Sequence, residues 1–391
     1  MTEIAAPPTC TLTASQADTF GQELDALRER VLADRGATDA AYIRRVIATQ
    51  RYFELAGRVA LLASRRRSAW WVGTTSLALA KILDNMEIGH NVLHGQWDWM
   101  RDPKIHSSTW DWDHTTPPDL WQRSHNQGHH AYTNILGRDN DLGYGILRVD
   151  EAQPWRRLHL AQPLLNLVNA LVFEYGIAAY DLELGSLARG ERTAAPGFGS
   201  DTRRTVGRAG RQALKELLIW PALSGRSWRS TMAANVTAIA VRNVWSHSVI
   251  MCGHFPEGVE TFEQESVRPD EGRGEWYLRQ MLGSADVTGP GWLHLLTGNL
   301  SHQIEHHLFP DLPSNRYEEL APQVRAIAER HGLRYHAAPL PRQVASAWHK
   351  VVRLSLPNGW WAETTWRNAG RRLHGLLTAP ADAPVAALSQ R

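Results

Sequence analysis

The sequence predicts an all-α protein with apolar helices that lie in a membrane. Four apolar blocks are long enough to form helices, and histidine pairs recur at a four-residue spacing, which places side chains on one face of an α-helix. The blocks cover residues 51–64, 68–80, 158–180 and 231–255. Mean hydropathy is only −0.37, and no block has about 20 uninterrupted apolar residues. Composition alone therefore favours a soluble helical protein, and the membrane prediction rests mainly on the motifs described below.

Two charged residues interrupt the apolar blocks, and they suggest how the blocks pack. Glu174 and Arg242 stand inside the third and fourth blocks. At membrane depth each would be costly in lipid, so both should face the protein interior. Around these blocks we expect a polar lead-in over residues 1–40, a membrane domain over residues 41–357 and a largely disordered tail over residues 358–391.

Composition excludes several classes of protein. The formal net charge is +2 and there is no long run of basic residues, so the sequence shows no basic patch of the kind that binds nucleic acid. The two cysteines, Cys10 and Cys252, are far apart, so the sequence predicts neither a disulfide framework nor a thiolate metal site and fits a reducing, intracellular setting. The N-terminus has no signal-peptide pattern, and we expect no secretory leader.

Histidine is unusually frequent, with 18 residues in the chain, and most of the informative ones fall in three boxes. Within each box two imidazoles four residues apart share one helix face. One such pair is weak evidence, but three boxes in one chain are hard to explain by core packing, and they predict a metal site. The boxes are HNVLH (His90, His94), HNQGHH (His125, His129, His130) and HQIEHH (His302, His306, His307).

A fourth element lies in the last apolar block, where Asn243 precedes His247 by one helical turn. A histidine on an apolar helix is more often a core residue than a ligand. Near the end of a candidate spanning helix, however, a polar group calls for a functional explanation. We therefore include His247 among the candidate ligands.

The number and type of ligands indicate which metal is bound. Eight or nine histidines are too many for one zinc ion, and imidazole also suits iron, copper and nickel. Two irons with neutral nitrogen ligands would be strongly oxidising after oxygen binds, which suits removal of hydrogen from an unactivated methylene group. A competing ExxH pattern, Glu87 with His90, would need a second ExxH and two further glutamates. We expect Glu87 instead to orient a ligand imidazole.

The three boxes, in this order and with HQIEHHLFP as the third, resemble the membrane fatty acid desaturase family. Residues 85–100 and 298–317 are especially similar to actinobacterial acyl-CoA desaturases of the mycobacterial stearoyl-CoA type. The resemblance implies about four transmembrane helices in two hairpins, with a cytosolic helical cap that holds two irons. It also implies O2 as co-substrate, a long-chain acyl-CoA or acyl-lipid substrate, and electrons from NAD(P)H through a separate protein.

The resemblance also implies a ligand set for this chain. Asn243 would hold a water near one iron, and the first ligand of the third box stays open between His302 and Gln303, with Gln303 at the family's usual position. The implied histidine ligands are His90, His94, His125, His129, His130, His247, His306 and His307.

Two alternatives remain open at this point. A hydroxylase of the same superfamily would share the first hydrogen abstraction, and a non-catalytic membrane metal-binding or transport protein would need no oxygen chemistry. The chain has no His-Pro-Gly-Gly haem motif, no CxxC and no GxGxxG after a strand, so we expect no fused electron-transfer module. The expected location is the cytoplasmic membrane, multi-pass, with the site facing the cytoplasm.

Overall fold

The fold is built almost entirely from helices. The computed structural model describes residues 12–139, 141–188, 190, 193–268, 270–363 and 369–378. The α-helices in chain order are α1 (Ala14–Asp34), α2 (Ala37–Leu61), α3 (Arg67–Ile82), α4 (Asn91–Leu93), α5 (Pro118–Trp121), α6 (His130–Tyr132), α7 (Gln162–Leu171), α8 (Phe173–Asp181), α9 (Leu184–Ala188), α10 (Phe198–Ala213), α11 (Trp220–Leu223), α12 (Trp228–His254), α13 (Arg273–Leu282), α14 (Gly291–Leu296), α15 (Gln303–Leu308), α16 (Tyr317–Arg330), α17 (Leu340–Leu354), α18 (Trp360–Glu363) and α19 (Ala369–Thr378).

Tighter and wider turns complete the helical structure. The 3₁₀ turns are Asp98–Met100, Leu142–Gly145, Arg157–Ala161, Gly225–Ser227, Gln264–Ser266 and Ser314–Arg316. Three π-helical segments, Leu83–His90, Gln122–His129 and Leu214–Ile219, continue directly from the α-helices before them. π turns are rare and frequently occur at functional sites.

The N-terminal helix α1 covers the third histidine box from outside. Its start is fixed by a capping box in which Thr13 and Gln16 satisfy each other's backbone N–H groups. Its buried face packs against the core formed by α13, α15 and α16. The helix crosses α13 so closely that a Cβ on Gly274 would lie 1.8 Å from the carbonyl oxygen of Ala17.

Helices α2 and α3 form an antiparallel pair, and α12 packs against α3. The pair is close because both helices present glycine at the crossing. A Cβ on Gly57 would lie 2.8 Å from Leu77, and a Cβ on Gly73 would lie 2.6 Å from Leu61. This arrangement leads α3 directly into the π-helical segment that carries the first histidine box.

The prediction of about four transmembrane helices is wrong. Among the described residues, no helix combines the length and the apolar composition needed to cross a bilayer. The third apolar block breaks at Val172 into α7 and α8, which have 10 and 9 residues. Helix α3 has only 16 residues, and α2 carries Arg51, Glu54 and Arg58 within its length. The structure confirms the all-α part of the prediction and contradicts the predicted membrane spans.

The charged groups inside the helical body pair with one another. Arg58 on α2 and Lys81 on α3 both contact the carboxylate of Glu216, at 2.7 and 3.0 Å. Arg242 and Glu174, which the sequence predicted to face the interior, are buried and form an ion pair. Removal of one partner from such a pair leaves an uncompensated buried charge.

A small parallel sheet positions the third box. Strand β1 (Asp286–Thr288) pairs with β2 (Ala337–Pro339), with Asp286 opposite Ala337. The N–H of Ile304 at the start of α15 donates to Asp286 Oδ1 at 2.9 Å, which connects α15 to the sheet.

The predicted domain boundaries stay predictions. The lead-in over residues 1–40 contains α1, and residues 1–11 lie outside the described residues. In the tail predicted to be disordered, residues 360–363 and 369–378 are helical, and residues 364–368 and 379–391 lie outside the described residues.

Candidate metal centre

The first and second histidine boxes lie where π-helical segments return to α-helix. His90 ends the segment Leu83–His90, and His94 follows α4. His125 and His129 lie in Gln122–His129, and His130 begins α6. The third box begins just before α15 and continues into it, with His306 and His307 fully buried. Helix α12 contributes His254 from its C-terminal end. The candidate metal centre therefore combines four separate parts of the chain, namely the three boxes and the end of α12.

One group consists of four imidazoles: His90, His94, His125 and His306. One ring nitrogen from each lies within 4.8 Å of those of the others. His90 Nε2 and His306 Nε2 are 3.2 Å apart. Two nitrogens that each bind one ion at about 2.1 Å are about 3 to 3.4 Å apart at tetrahedral or octahedral angles. The spacing of this pair fits a shared metal ion.

A second group consists of three buried imidazoles: His129, His254 and His307. His254 Nε2 lies 3.2 Å from His307 Nε2 and 3.0 Å from the amide nitrogen of Gln303. The side chain of Gln303 fits there because Gly253 has no Cβ, which would approach within 2.8 Å of it. Gln303, rather than His302, is therefore the third-box residue next to this group.

His130 lies between the two groups. Its ring centroid is 4.6 Å from that of His94 in the first group and 4.4 Å from that of His307 in the second. The ring is buried, and neither of its nitrogens has a hydrogen-bond partner among the described residues. His130 is thus available to either group.

Several of the imidazole rings are held in place by contacts at Nδ1, so that Nε2 is directed towards the candidate metal centre. His129 Nδ1 donates to the carboxylate of Asp139 at 3.0 Å, and His125 Nδ1 lies 3.1 Å from Asp141. Such partners fix the ring and raise its basicity as a ligand. The further contacts from Nδ1 are His306 to Tyr317 Oη at 3.3 Å, His307 to Gln280 Oε1 at 3.0 Å and His254 to the Gly283 carbonyl at 3.2 Å.

Burial determines the protonation of most of these rings. It lowers the pKa of His90 and that of His254 to about 3, and it lowers the pKa values of His94 and His306 well below the usual range. His129 is the exception: burial lowers its pKa, but Asp139 and Asp141 outweigh burial and raise it to about 9. The rings with lowered pKa values are therefore neutral near pH 7, and neutral imidazole is the form that binds metal.

The residues fit a bound metal. Within the part of the chain that the structure describes, His94 Nε2, His125 Nε2 and Gln303 Oε1 are buried without partners, as are both nitrogens of His130. Each buried polar atom without a partner costs about 1–3 kcal/mol, and so many in one place require a ligand. A set of imidazoles without thiolate suits iron, copper, nickel or zinc.

Three predicted site residues lie elsewhere. His247 Nε2 is 2.8 Å from Asn166 Oδ1, and its ring packs against Phe173. Asn243 donates to the Leu171 carbonyl at 2.8 Å. His302 lies beside Asp286, outside both histidine groups.

Glu87 does not contact a ligand imidazole as expected. Its carboxylate instead accepts hydrogen bonds from Tyr42, Asn299 and Ser314. It therefore connects the first box to α2 and to the segments on both sides of the third box.

Sequence reasoning missed His254, Asp139 and Asp141. His254 lies seven residues after His247, about two turns along the same helix face. The two aspartates belong to the segment Arg138 to Asp141, closely after the second box. The sequence signal that could have identified the two aspartates is their position a short distance after a histidine box.

Comparison with known proteins agrees with this geometry. Residues 68–339 match the family model described as fatty acid desaturase. The chain is 48% identical over 353 residues to a protein of Mycobacterium tuberculosis named NADPH-dependent stearoyl-CoA 9-desaturase, with 89% of this chain and 82% of that protein covered. The chain belongs to the fatty acid desaturase family. This desaturase is accordingly an oxidoreductase that acts on fatty acyl groups, as its sequence predicted.

More distant relatives share the family but less of the chain. An acyl-lipid (7-3)-desaturase of Rebecca salina is 27% identical over 56% of this desaturase and 49% of its own length. A delta(5) fatty acid desaturase A of Dictyostelium discoideum is 25% identical over 67% of this desaturase and 58% of its own length.

Proposed function

We propose that this desaturase inserts a cis double bond into a long-chain acyl-CoA, with stearoyl-CoA as the first substrate to test, at a centre of two irons. The observation that carries the proposal is the pair of adjacent imidazole groups with His130 between them. The name of the Mycobacterium tuberculosis relative supports the thioester, the 9-position and NADPH as the electron source. We propose that a separate protein delivers these electrons.

In this proposal the two groups hold one iron each. His90, His94, His125 and His306 would hold the first, and His129, His254 and His307 the second. His130 would complete one of them, and Gln303 would lie next to the second. His254 replaces His247 in the set implied by the resemblance, because only His254 lies in a group of imidazoles.

When bound, the two irons with O2 would supply the oxidising power to remove hydrogen from an unactivated methylene group. The chain's own residues hold the imidazole rings and orient them. Asp139, Tyr317, Gln280 and the Gly283 carbonyl fix the imidazole rings through Nδ1. The burial of His306, His307 and His129 keeps water from these rings.

The test combines metal analysis with product analysis. Purified protein should contain close to two irons per chain, and His129→Ala and His306→Ala should lose both iron and activity. With an NADPH-dependent reductase and stearoyl-CoA, mass spectrometry should locate a double bond at carbon 9. A hydroxylated product would indicate the hydroxylase alternative. Iron-loaded, reduced protein without any oxidised product would favour a metal-binding protein.

We also propose that the desaturase works at the cytoplasmic face of the cell membrane. Support comes from exposed apolar side chains along one helix face, since large patches of this kind mark interaction sites. On α7 these are Leu164, Leu167, Val168 and Leu171. Flotation with phospholipid vesicles tests the idea: wild type should float, and a variant with Leu164→Ser and Leu167→Ser should float less. Equal recovery of both in the bottom fraction would contradict it.

A further inference from the structure

His302, the third-box histidine outside both groups, lies in a separate cluster of ligand-type side chains. It immediately precedes α15, and Glu305 follows one turn later on the same side of that helix. Asp286 of β1 completes the cluster. One ligand atom from each of Asp286, His302 and Glu305 lies within 4.8 Å of those of the other two.

The two carboxylates of this cluster are buried, and no described cationic side chain pairs with them. Asp286 is 4% exposed and Glu305 is 0% exposed. The hydroxyl of Tyr335 contacts both carboxyl groups and donates its one proton to one of them, and the N–H groups of Gln303 and Ile304 donate to Asp286. The Asp286 and Glu305 carboxyl groups also lie within hydrogen-bonding distance of each other. In the described part of the chain, no lysine or arginine forms an ion pair with either carboxylate. Burial of charge is costly unless the charge is paired or coordinates a metal.

Two further atoms of the cluster have no partner. His302 Nε2 and Glu305 Oε2 are buried and form no hydrogen bond with any described residue, and the His302 side chain is only 9% exposed. His302 Nδ1 lies 4.0 Å from Asp286 Oδ2. Two ligands that each bind one tetrahedral ion at about 2.1 Å are about 3.4 Å apart. His302 Nδ1 and Asp286 Oδ2 would therefore have to approach each other by about 0.6 Å, a side-chain adjustment, to bind the same ion.

We propose that Asp286, His302 and Glu305 form a third metal site, which binds one Zn²⁺ ion. A divalent cation would neutralise both carboxylates, and an imidazole ligand favours zinc over Mg²⁺ or Ca²⁺. Three protein ligands with the Tyr335 hydroxyl or a water give the four-coordinate geometry that zinc prefers. The ion fastens the start of α15 to β1 and so supports the helix that presents His306 and His307. This site does not depend on the identity of the metal in the histidine groups.

The experiment is metal analysis of full-length protein that is first loaded with iron and then dialysed against Zn²⁺. Wild type should retain about one zinc per chain besides its iron. Glu305→Gln keeps the shape of the side chain and removes its charge, and His302→Phe removes the imidazole. Each should weaken zinc binding more than about 100-fold, since loss of a ligand should exceed the effect of an outer partner, while the iron content stays unchanged.

His294→Phe is the matched control. His294 is buried and its ring lies 4.5 Å from that of His302, but its Nδ1 already contacts the Ser301 hydroxyl at 2.7 Å. This variant should retain zinc. His129→Ala separates the two proposals, since it should lose iron and keep zinc.

Wild type that retains no zinc after iron loading would overturn the proposal and indicate a proton shared by the two carboxylates. Zinc that survives in both Glu305→Gln and His302→Phe would also overturn it. Zinc lost from His129→Ala but kept in His302→Phe would assign the ion to the histidine groups. If Glu305→Gln fails to fold, His302→Phe and wild type decide the result.

Discussion

At the scale of single residues, hydrogen-bond partners distinguish a ligand histidine from a core histidine. His247 and His254 lie on the same face of α12, and sequence alone favoured His247. In the structure the Nε2 of His247 is occupied by Asn166, whereas His254 uses Nδ1 on the Gly283 carbonyl and directs Nε2 towards His307. Asn166 and Gly283 are 81 and 29 residues away from these histidines, so local spacing does not reveal the difference.

This contrast gives the first prediction. His254→Ala should lose the metal of the second group and all activity, because a ligand is removed. His247→Ala should keep its iron and be destabilised by about 1–3 kcal/mol, because the Asn166 amide loses its buried partner. Iron analysis and urea unfolding of both variants check this. Loss of iron from His247→Ala with normal iron in His254→Ala would reverse the two assignments.

At the scale of elements, close helix crossings depend on particular glycines. The crossing of α1 and α13 leaves no room for a side chain on Gly274, where a Cβ would lie 1.8 Å from Ala17 O. Sequence periodicity predicts helices in such regions, but it does not show which faces meet. The helical character of the chain was therefore predictable, and the packing of α1 over the third box was not.

The second prediction tests this crossing. Gly274→Ala should destabilise the protein by about 1–3 kcal/mol, the usual cost of overpacking. Gly210→Ala on α10 is the control, because a Cβ there has no neighbour within 4 Å. It should stabilise by up to about 1 kcal/mol through helix propensity. Thermal denaturation should show shifts of opposite sign, and equal melting temperatures for both variants would contradict the packing argument.

A buried ion network connects α2 and α3 with the segment Leu214–Ile219, and it gives the third prediction. Burial alone would raise the pKa of Glu216, but Lys81 and Arg58 lower it from 4.5 to about 2. A lowered pKa means that the carboxylate stabilises the fold at pH values above 4.5 and that this contribution disappears as the pH falls through about 2.

Glu216→Gln should therefore be less stable than wild type near neutral pH by a few kcal/mol, about 1.4 kcal/mol for each unit of pKa shift. The difference in stability should shrink as the pH falls from 4.5 towards about 2. Urea unfolding of both proteins at a series of pH values measures it. A difference in unfolding free energy that stays constant with pH would show that the charge of Glu216 is not responsible.

At the scale of the whole molecule, the histidine boxes were predictable because each is encoded within six residues. Their assembly joins segments more than 200 residues apart, such as His90 and His306. The membrane spans were predicted wrongly because they were taken from the family resemblance of the histidine boxes, and the boxes specify the residues of the candidate metal centre rather than the length and composition of the helices around it. Glu174 with Arg242 and Glu216 with Arg58 occupy the interior of the helical body.

The fourth prediction follows from this assembly. Because the proposed metal ligands come from four distant segments, metal binding should be coupled to the stability of the whole fold. Removal of the proposed iron by a chelator should lower the melting temperature, and reloading should restore it. The expected gain is about 2.7 kcal/mol at a metal concentration 100-fold above Kd. His306→Ala, which removes one ligand of the first group only, serves as the control and should show a smaller gain; an equal gain in both proteins would indicate that the metal stabilises through other residues.

The π-helical segments before His94 and His130 have a further consequence for how this chain can change. A π turn contains one residue more than an α turn, so it is equivalent to a single-residue insertion in a helix. If either segment relaxed into a regular α-helix without losing a residue, the two sides of the segment would rotate by about 100° relative to each other. His90 and His94 would then turn relative to α3, and His129 and His130 would turn relative to α5, away from the common centre. The π turns therefore hold these histidines in place, and over evolution an insertion in either stretch should be accepted much less readily than a substitution.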